Sequence, residues 1–378
     1  MRTLIVSDLH LGAGTDSDLL RWQRYQAPLL EAASEADRVI LLGDVIELRD
    51  RPLGDALELA RPFFDALAEA AGDAEALVVP GNHDHHLLED WLVRRRLDGA
   101  EPLRLEERAN VGESGPLKAV AEAMGARLEL AYPGVWVRPD VYATHGHYLD
   151  RHLTIPTFER LALAAVERAL GPAPDASTDP LDAPSGPTDP DEYERAQAPV
   201  YAFLFALAQG ASAERRSPGP SARIWAAMSG GATRAQKVRG WLLGSVALPG
   251  AVGVANRLGL GPVKPDLSPG AITRAGLAAM GTVAERLGIE ADHIVFGHTH
   301  RRGPLDGEPG WVTPGGAALV NCGSWVHAPG LLGTAPAARA AYWPGTVVEV
   351  EDEGPPRARL LLESVSREEL AQDRPTGG

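Results

Sequence analysis

The 378-residue sequence contains a single cysteine, Cys322, so an intrachain disulfide is impossible and a reducing compartment is allowed. It also lacks any run of the roughly 20 strongly apolar residues that a membrane span requires. The uncharged stretches 196–213 and 240–256 both fall short of that length. The N-terminus has no apolar segment of about 7–15 residues of the kind that a signal peptide needs. We therefore expect a cytoplasmic protein.

Basic residues are fewer than acidic ones, with 36 Lys and Arg against 51 Asp and Glu and a net charge of −15. An acidic surface repels the phosphate backbone, so a nucleic-acid partner is disfavoured. The segment 214–280 is an exception, because it has nine basic and two acidic residues. A basic, apolar helical element is typical of contact with anionic lipid or a membrane surface. The alternative is a helical cap packed on the core with its basic groups in solvent, and either form could cover a site.

The first 150 residues alternate between short apolar runs and helical spacing. Thr3–Ser7, Arg38–Leu42 and Ala76–Val79 are predicted to be buried strands, and Arg127–Leu130 and Val135–Arg138 two short strands of a meander. Strands that alternate with helices indicate an α/β fold with a largely parallel sheet.

From residue 151 the pattern becomes helical, and strands return after residue 288. We therefore expect a discontinuous core over 1–150 and 288–365, a helical cap or insertion over 151–287, and a flexible tail over 366–378. Residues 171–191 are rich in Pro, Asp, Ser and Gly, a composition typical of a disordered acidic loop.

Five short polar segments each follow directly after a predicted strand. They are Asp8-Leu9-His10, Gly43-Asp44, Gly81-Asn82-His83-Asp84, His145-Gly146-His147 and Gly297-His298-Thr299-His300. Because the carboxyl ends of strands line the ligand crevice of an open α/β sheet, all five can converge on one site. Imidazole, carboxylate and amide oxygen are ligands of divalent metals, and Asp44 has two oxygens with which to bridge ions about 3.5–4 Å apart. Glycines before Asp44, Asn82 and His298 permit close backbone approach.

The series DxH, GD, GNHD, HGH and GHTH, taken in this order and spacing, resembles the calcineurin-like metallophosphoesterase superfamily. Asn321-Cys322-Gly323-Ser324 resembles a later element of the same family. The resemblance implies a four-layer αββα sandwich that binds two divalent metal ions, which could be Mn, Fe or Zn.

The resemblance also implies roles for individual residues. Asp8, His10 and His300 would hold one metal ion, and Asn82, His145 and His298 the other. Asp44 would bridge the two ions together with a hydroxide that attacks phosphorus. His83 would protonate the leaving oxygen, with Asp84 orienting its ring. His147 and Arg301 are candidates for contact with the substrate phosphate.

One departure bears on the substrate. Glu47 stands in Gly43-Asp44-Val45-Ile46-Glu47 where many members have the second Asp of GDxxD. Together with Asp8-Leu9-His10-Leu11 and Gly297-His298-Thr299-His300-Arg301, this feature is similar to the UDP-2,3-diacylglucosamine pyrophosphohydrolase branch. That branch usually has Arg in place of His83. We expect hydrolysis of a phosphate monoester, diester or pyrophosphate. The alternatives are a lipid-linked pyrophosphate hydrolase at the membrane surface, or a binding module that retains metal without turnover.

Overall fold

Strands form where the sequence has short runs of aliphatic and β-branched residues. The computed structural model describes residues 1–111, 115–124, 128–170, 187–210, 248–258 and 261–372. Its strands are β1 (Thr3–Val6), β2 (Arg38–Leu41), β3 (Glu75–Val78), β4 (Glu106–Asn110), β5 (Leu128–Arg138), β6 (Val141–Thr144), β7 (His293–Phe296), β8 (Ala318–Asn321), β9 (Thr346–Val350) and β10 (Arg357–Leu360). The charged β4 lies off the main path and pairs with β5 alone, a place where polar side chains are tolerated.

Strand β5 joins two parallel groups of strands. The order along the sheet is β10-β9-β1-β2-β3-β5-β6-β7-β8, with β1 to β3 parallel and β6 to β8 parallel. The prediction of two strands between residues 127 and 138 is wrong, because β5 is continuous there. Pro133-Gly134 looks like a turn in the sequence, but it marks the point where β5 changes partners. β5 pairs with β3 up to Leu130 and with β6 from Gly134 onward.

The helices occupy the connections between strands. They are α1 (Gln23–Ser34), α2 (Leu53–Ala71), α3 (Glu89–Leu97), α4 (Gly115–Met124), α5 (Phe158–Leu170), α6 (Pro190–Gln209), α7 (Leu248–Arg257), α8 (Pro269–Arg286) and α9 (Arg367–Gln372). The start of α6 is set locally: the Asp189 side chain accepts a hydrogen bond from the backbone N–H of Glu192 at 2.9 Å, and Pro190 is the first helical residue. No helix among the described residues combines the length and apolar character needed to cross a bilayer.

The buried side chains define four layers. Leu4, Val39 and Val78 face α1, α2 and α4 in one apolar core. Alternate residues of the same strands, such as Ile5 and Ile40, face Val141, Val295 and other residues of the second strand group. The outer face of that group packs against α8 in a third core. Side chains alternate along a strand, so each strand group can pack on helices with one face and on the other strand group with its other face. The result is an αββα sandwich, as the family resemblance implied.

The region between β6 and β7 contributes to two different layers. Helices α5 and α6 form a small core of their own around Leu163, Val200 and Leu204. Helix α8, although inside the predicted insertion, packs through Met280 and Val283 on the sandwich. Of the predicted acidic loop 171–191, residues 171–186 lie outside the described residues, as do 211–247 and 259–260 of the basic region.

The predicted flexible tail begins with a short helix. Residues Arg367–Gln372 form α9, because Leu370 is buried against the core that contains α1 and α2. The remainder, 373–378, lies outside the described residues.

Candidate metal centre

The five polar segments meet at the carboxyl ends of β1, β2, β3, β6 and β7. His10 follows β1 and His300 follows β7, yet their Nε2 atoms lie 3.0 Å apart. His145, after β6, places Nε2 3.3 Å from Asp44 Oδ2, after β2. The prediction that these segments converge is therefore confirmed in the geometry, and residues almost 300 positions apart share one pocket.

The backbone is strained at the same positions. Six non-glycine residues of the described chain have φ between 47° and 65°, and five of them are Asp8, His10, Asp44, His298 and His300. Such left-handed conformations cost about 1–3 kcal/mol each and persist where the surroundings enforce them. Their coincidence with the predicted ligands marks this edge of the sandwich as a functional site.

Three glycines permit the close packing of these loops. A Cβ at Gly43, whose φ is +84°, would overlap the ring of His145. A Cβ at Gly81 would overlap the Asp44 carboxylate and the His145 ring. The same holds for Gly297, where a Cβ would overlap Ser7 and Asp8. The predicted approach of these glycines to a bound ligand therefore takes the form of close contact with the candidate ligand side chains.

One group of side chains consists of Asp8, His10 and His300. Asp8 Oδ1 lies 3.2 Å from His300 Nε2 and 4.0 Å from His10 Nε2. The other oxygen, Asp8 Oδ2, accepts the backbone N–H of His298 at 3.0 Å and lies 2.6 Å from Ser7 Oγ. The carboxylate is thereby fixed with Oδ1 facing the two imidazoles, and these three residues could hold a metal ion.

A second group surrounds the amide of Asn82. Its Oδ1 lies 3.2 Å from His145 Nε2 and 3.0 Å from His298 Nδ1. Asp44 joins both groups, because Asp44 Oδ2 lies 3.3 Å from His145 Nε2 and 3.6 Å from His10 Nε2. Asp44 Oδ1 accepts the backbone N–H of His83 at 2.7 Å, which fixes the carboxylate between the groups.

These side chains fit divalent cations because several electron-pair donors converge on the same small space. Asp8 Oδ1 is buried and has no hydrogen-bond donor. Asn82 Oδ1 faces two imidazole nitrogens and Asp44 Oδ2. If the amide were turned over, its NH₂ group would face these three atoms in place of Oδ1. Buried acceptors that converge in this way are costly unless a cation lies among them.

Each imidazole is oriented by a partner behind it. His145 Nδ1 donates to the backbone oxygen of Leu42 at 3.0 Å, and His298 Nε2 donates to Asp150 Oδ1 at 2.9 Å. His10 Nδ1 donates to Glu47 Oε2 at 2.9 Å. Such contacts fix the tautomer and raise ligand basicity. No motif in the sequence predicts these roles: Glu47 appears there only as a departure from GDxxD, and Asp150 belongs to no motif.

His83 lies in the pocket beside these groups, but its supporting residue is not the predicted one. Its Nδ1 donates to Glu47 Oε2 at 2.7 Å, and its side chain is 23% exposed. Asp84 instead accepts backbone N–H groups of Gly81 at 2.6 Å and Val45 at 2.7 Å. Asp84 therefore holds two loops together, and Glu47 orients the His83 ring.

The electrostatics of the pocket favour positive charge. Burial lowers the pKa of His10, but Glu47, Asp44 and Asp8 outweigh burial and raise it to about 9. Burial also lowers the pKa of His145, but Asp44 and Asp8 outweigh burial and raise this pKa to about 10. Burial raises the pKa of Glu47, yet His83 and His10 hold it well below its usual range. Carboxylates that attract protons this strongly also attract metal ions, which compete for the same nitrogens.

The two predicted substrate residues are placed differently. His147 is 1% exposed, stacks on Tyr132 and does not line the cavity, so the structure does not bring it to the predicted place of substrate contact. Arg301 does line the cavity, but its guanidinium pairs with Glu308 and lies 5.3 Å from the Trp311 ring centroid. Asn321 donates to the backbone oxygen of Gly297 at 2.8 Å and so supports the last ligand loop.

The cavity above these groups has a volume of about 350 Å³ and two kinds of wall. Its floor includes Asp44, Asn82, His83 and His298. The remaining wall is largely apolar and comes from the segment after β6, from α6 and α8, and from later loops. It includes Leu153, Ile155, Phe158, Leu204, Ile272, Leu277 and Trp311.

Comparison with known proteins gave a family match and several structural matches. The sequence profile of the calcineurin-like phosphoesterases matches residues 1–193, just over half of the chain. No curated protein gave a significant match. Among solved structures, a dimetal phosphatase from Danio rerio is 13% identical and covers 92% of this chain and 95% of its own, with a TM-score of 0.32. Neither the family profile nor this phosphatase names the UDP-2,3-diacylglucosamine pyrophosphohydrolase branch, so that resemblance stays a prediction.

Proposed function

This chain belongs to the calcineurin-like phosphoesterase family, and we propose that it hydrolyses a phosphate monoester, diester or pyrophosphate with two divalent metal ions. The observation that carries the proposal is the arrangement of two ligand groups around Asp44. Asp8, His10 and His300 form one group, and Asn82, His145 and His298 the other. A carboxylate between two such groups suits a pair of ions.

The chain's own residues supply the remaining chemistry. When bound, the ions would supply positive charge to phosphoryl oxygens and lower the pKa of a nearby water. Glu47 accepts the Nδ1–H of His83, which leaves Nε2 as the nitrogen that can pass a proton to the leaving oxygen. The His83 ring lies beside His10, with 4.6 Å between the ring centroids, so this proton would be delivered next to the ligand groups.

Removal of metal provides the first test. Purified protein should contain about two Mn, Fe or Zn ions per chain and should hydrolyse p-nitrophenyl phosphate or bis-p-nitrophenyl phosphate. Dialysis against a chelator should abolish turnover, and added Mn²⁺ should restore it. Elemental analysis and initial rates on the same samples would check both points. Full metal occupancy without turnover of any phosphoester, in a screen of nucleotides, sugar phosphates and lipid pyrophosphates, would favour a metal-retaining binding module instead.

The apolar wall favours a second candidate within the same class: a lipid-like phosphoester, including a lipid-linked pyrophosphate. Leu153, Ile155 and Phe158 continue directly from the ligand loop after β6, so an apolar group of a substrate could reach them from the metal centre. Phe203 and Leu207, one turn apart on α6, are 61% and 54% exposed, which suits contact with a membrane surface.

A matched substrate pair would test this candidate. A p-nitrophenyl phosphodiester with an octyl group should have a KM at least about tenfold below that of its ethyl analogue, because each buried methylene contributes about 0.8 kcal/mol. Ile272→Gln in the cavity wall should remove most of that advantage, and Ala278→Gln, exposed on the same helix, should preserve it. Equal KM values for the two esters in wild-type protein would argue for a small soluble substrate.

A further inference from the structure

Arg49 lies at the floor of the cavity, five residues after Asp44. Its side chain is only 7% exposed, and it lines the cavity next to Asn82. Its guanidinium has five N–H donors and no acceptor of its own. A buried cation of this kind needs acceptors, because desolvating it without them costs several kcal/mol.

The protein provides few acceptors to this guanidinium. Arg49 Nε is buried without a hydrogen-bond partner. The neighbouring carboxylate, Glu159 Oε1, lies 3.8 Å from Nη1, beyond hydrogen-bond distance. The ring of Tyr201 lies 5.0 Å from the guanidinium carbon, and Asp150 is a further carboxylate near enough to interact with it electrostatically. When the Asn82 oxygen faces the imidazoles, packing and charge hold the guanidinium in place, and its donors receive no acceptor from Asn82.

The single oxygen of the Asn82 amide can face either the two imidazoles or the Arg49 guanidinium, but not both. With Oδ1 facing His145 and His298, its nitrogen lies 3.0 and 3.2 Å from Arg49 Nη1 and Nη2, so donors face donors. Turning the amide over would satisfy Arg49, but it would direct the NH₂ group at three atoms with lone pairs. Metal binding requires the oxygen to face the imidazoles, and Arg49 must then find its acceptor elsewhere.

We infer that Arg49 binds a non-bridging phosphoryl oxygen of the substrate beside Asn82. This assignment rests on the proposed function, and it adds a residue that no sequence motif indicated. The planar guanidinium fork matches phosphate oxygens, which are strong acceptors. Arg301, the other arginine among the described cavity-lining residues, is already paired with Glu308.

The inference gives the cap helices a role in the site. Glu159 belongs to α5 and Tyr201 to α6, and both contact a residue that follows β2 in the sandwich. The helical segment therefore positions a phosphate-binding group as well as forming part of the cavity wall.

Binding of inorganic phosphate to metal-loaded protein, measured by calorimetry, tests the inference without turnover. Arg49→Gln should raise the Kd for phosphate about 10- to 100-fold, the loss expected for a charge-assisted hydrogen bond. Arg49→Lys keeps the charge but not the fork and should fall between Gln and wild type. Arg359→Gln is the matched control, because Arg359 is 46% exposed and pairs with Glu349 at 3.0 Å; its Kd should equal the wild-type value.

The companion measurements are metal content and steady-state kinetics. Arg49→Gln should keep wild-type metal content and lose about 10- to 100-fold in kcat/KM. Wild-type phosphate affinity in Arg49→Gln, or loss of metal together with phosphate binding, would overturn the inference in favour of a role in supporting Asn82. Wild-type protein that binds phosphate through Arg49 but hydrolyses no phosphoester would contradict the proposed function and leave the Arg49 assignment intact.

Discussion

Asp44→Asn should abolish turnover and weaken the binding of both metal ions. The substitution keeps the shape of the side chain but removes its charge, and it places an NH₂ group where an oxygen now faces His10 at 3.6 Å or accepts from His83 at 2.7 Å. Turnover should fall by about 10³-fold or more, since several kcal/mol of charge stabilisation depend on the ions. Initial rates and metal content per chain, measured on the same preparation, would show the two losses together.

The matched control is Asp65→Asn, an identical change at an exposed position of α2. It should leave rate and metal content at wild-type values. Thermal unfolding of Asp44→Asn should be compared with metal-free wild type, so that loss of metal is separated from loss of fold. A variant at Asp44 that retains two ions and normal turnover would remove this residue from its proposed place between the ligand groups.

His83→Ala should lose most turnover and keep the metal ions. A general acid contributes about 10²–10⁴-fold, and the cavity position of His83 beside Glu47 suits that role. The loss should depend on the leaving group. Because an alkoxide needs protonation more than p-nitrophenolate does, an alkyl phosphate should suffer a larger fall in kcat than p-nitrophenyl phosphate.

The contrast with His86→Ala controls for removal of an imidazole from the same loop. His86 stacks on Phe205 with 3.6 Å between ring centroids and does not line the cavity, so turnover should be retained. His83 also lies close enough to His10 and Asp44 to form a third possible metal group. Reduced metal content in His83→Ala, with an equal rate loss for both leaving groups, would assign His83 to metal binding instead.

The sequence was most informative where a strand pattern and a polar motif are adjacent in the chain. A short apolar run followed by Asp8, Asp44, Asn82, His145 or His298 predicts a buried strand with a polar side chain at its carboxyl end, and the structure has both features. That these side chains bind metal stays a prediction. Parallel pairing of the strands then brings the segments together. The αββα sandwich followed because the motifs, in order, resemble those of a known family.

Residues that orient the candidate ligands, or that line the pocket next to them, could not be predicted in the same way. Asp150 is a single carboxylate within the 3-10 helix His147–His152, and its contact with His298 depends on how β6 and β7 pair. Glu47 is the partner of His83 in place of Asp84, because Asp84 accepts the backbone N–H groups of Val45 and Gly81 instead. Arg49 depends on α5 and α6, whose packing no local pattern specifies.

The separation of the ligands along the chain has a consequence for how the protein matures. His298 and His300 are synthesised almost 300 residues after Asp8, and they reach the pocket only when β7 pairs with β6. Until then Asp8 and Asp44 lack these two imidazoles as neighbours. A metal ion that binds the complete set of side chains would stabilise the finished fold by mass action. Bound metal would mark a chain that has completed folding through its final strands.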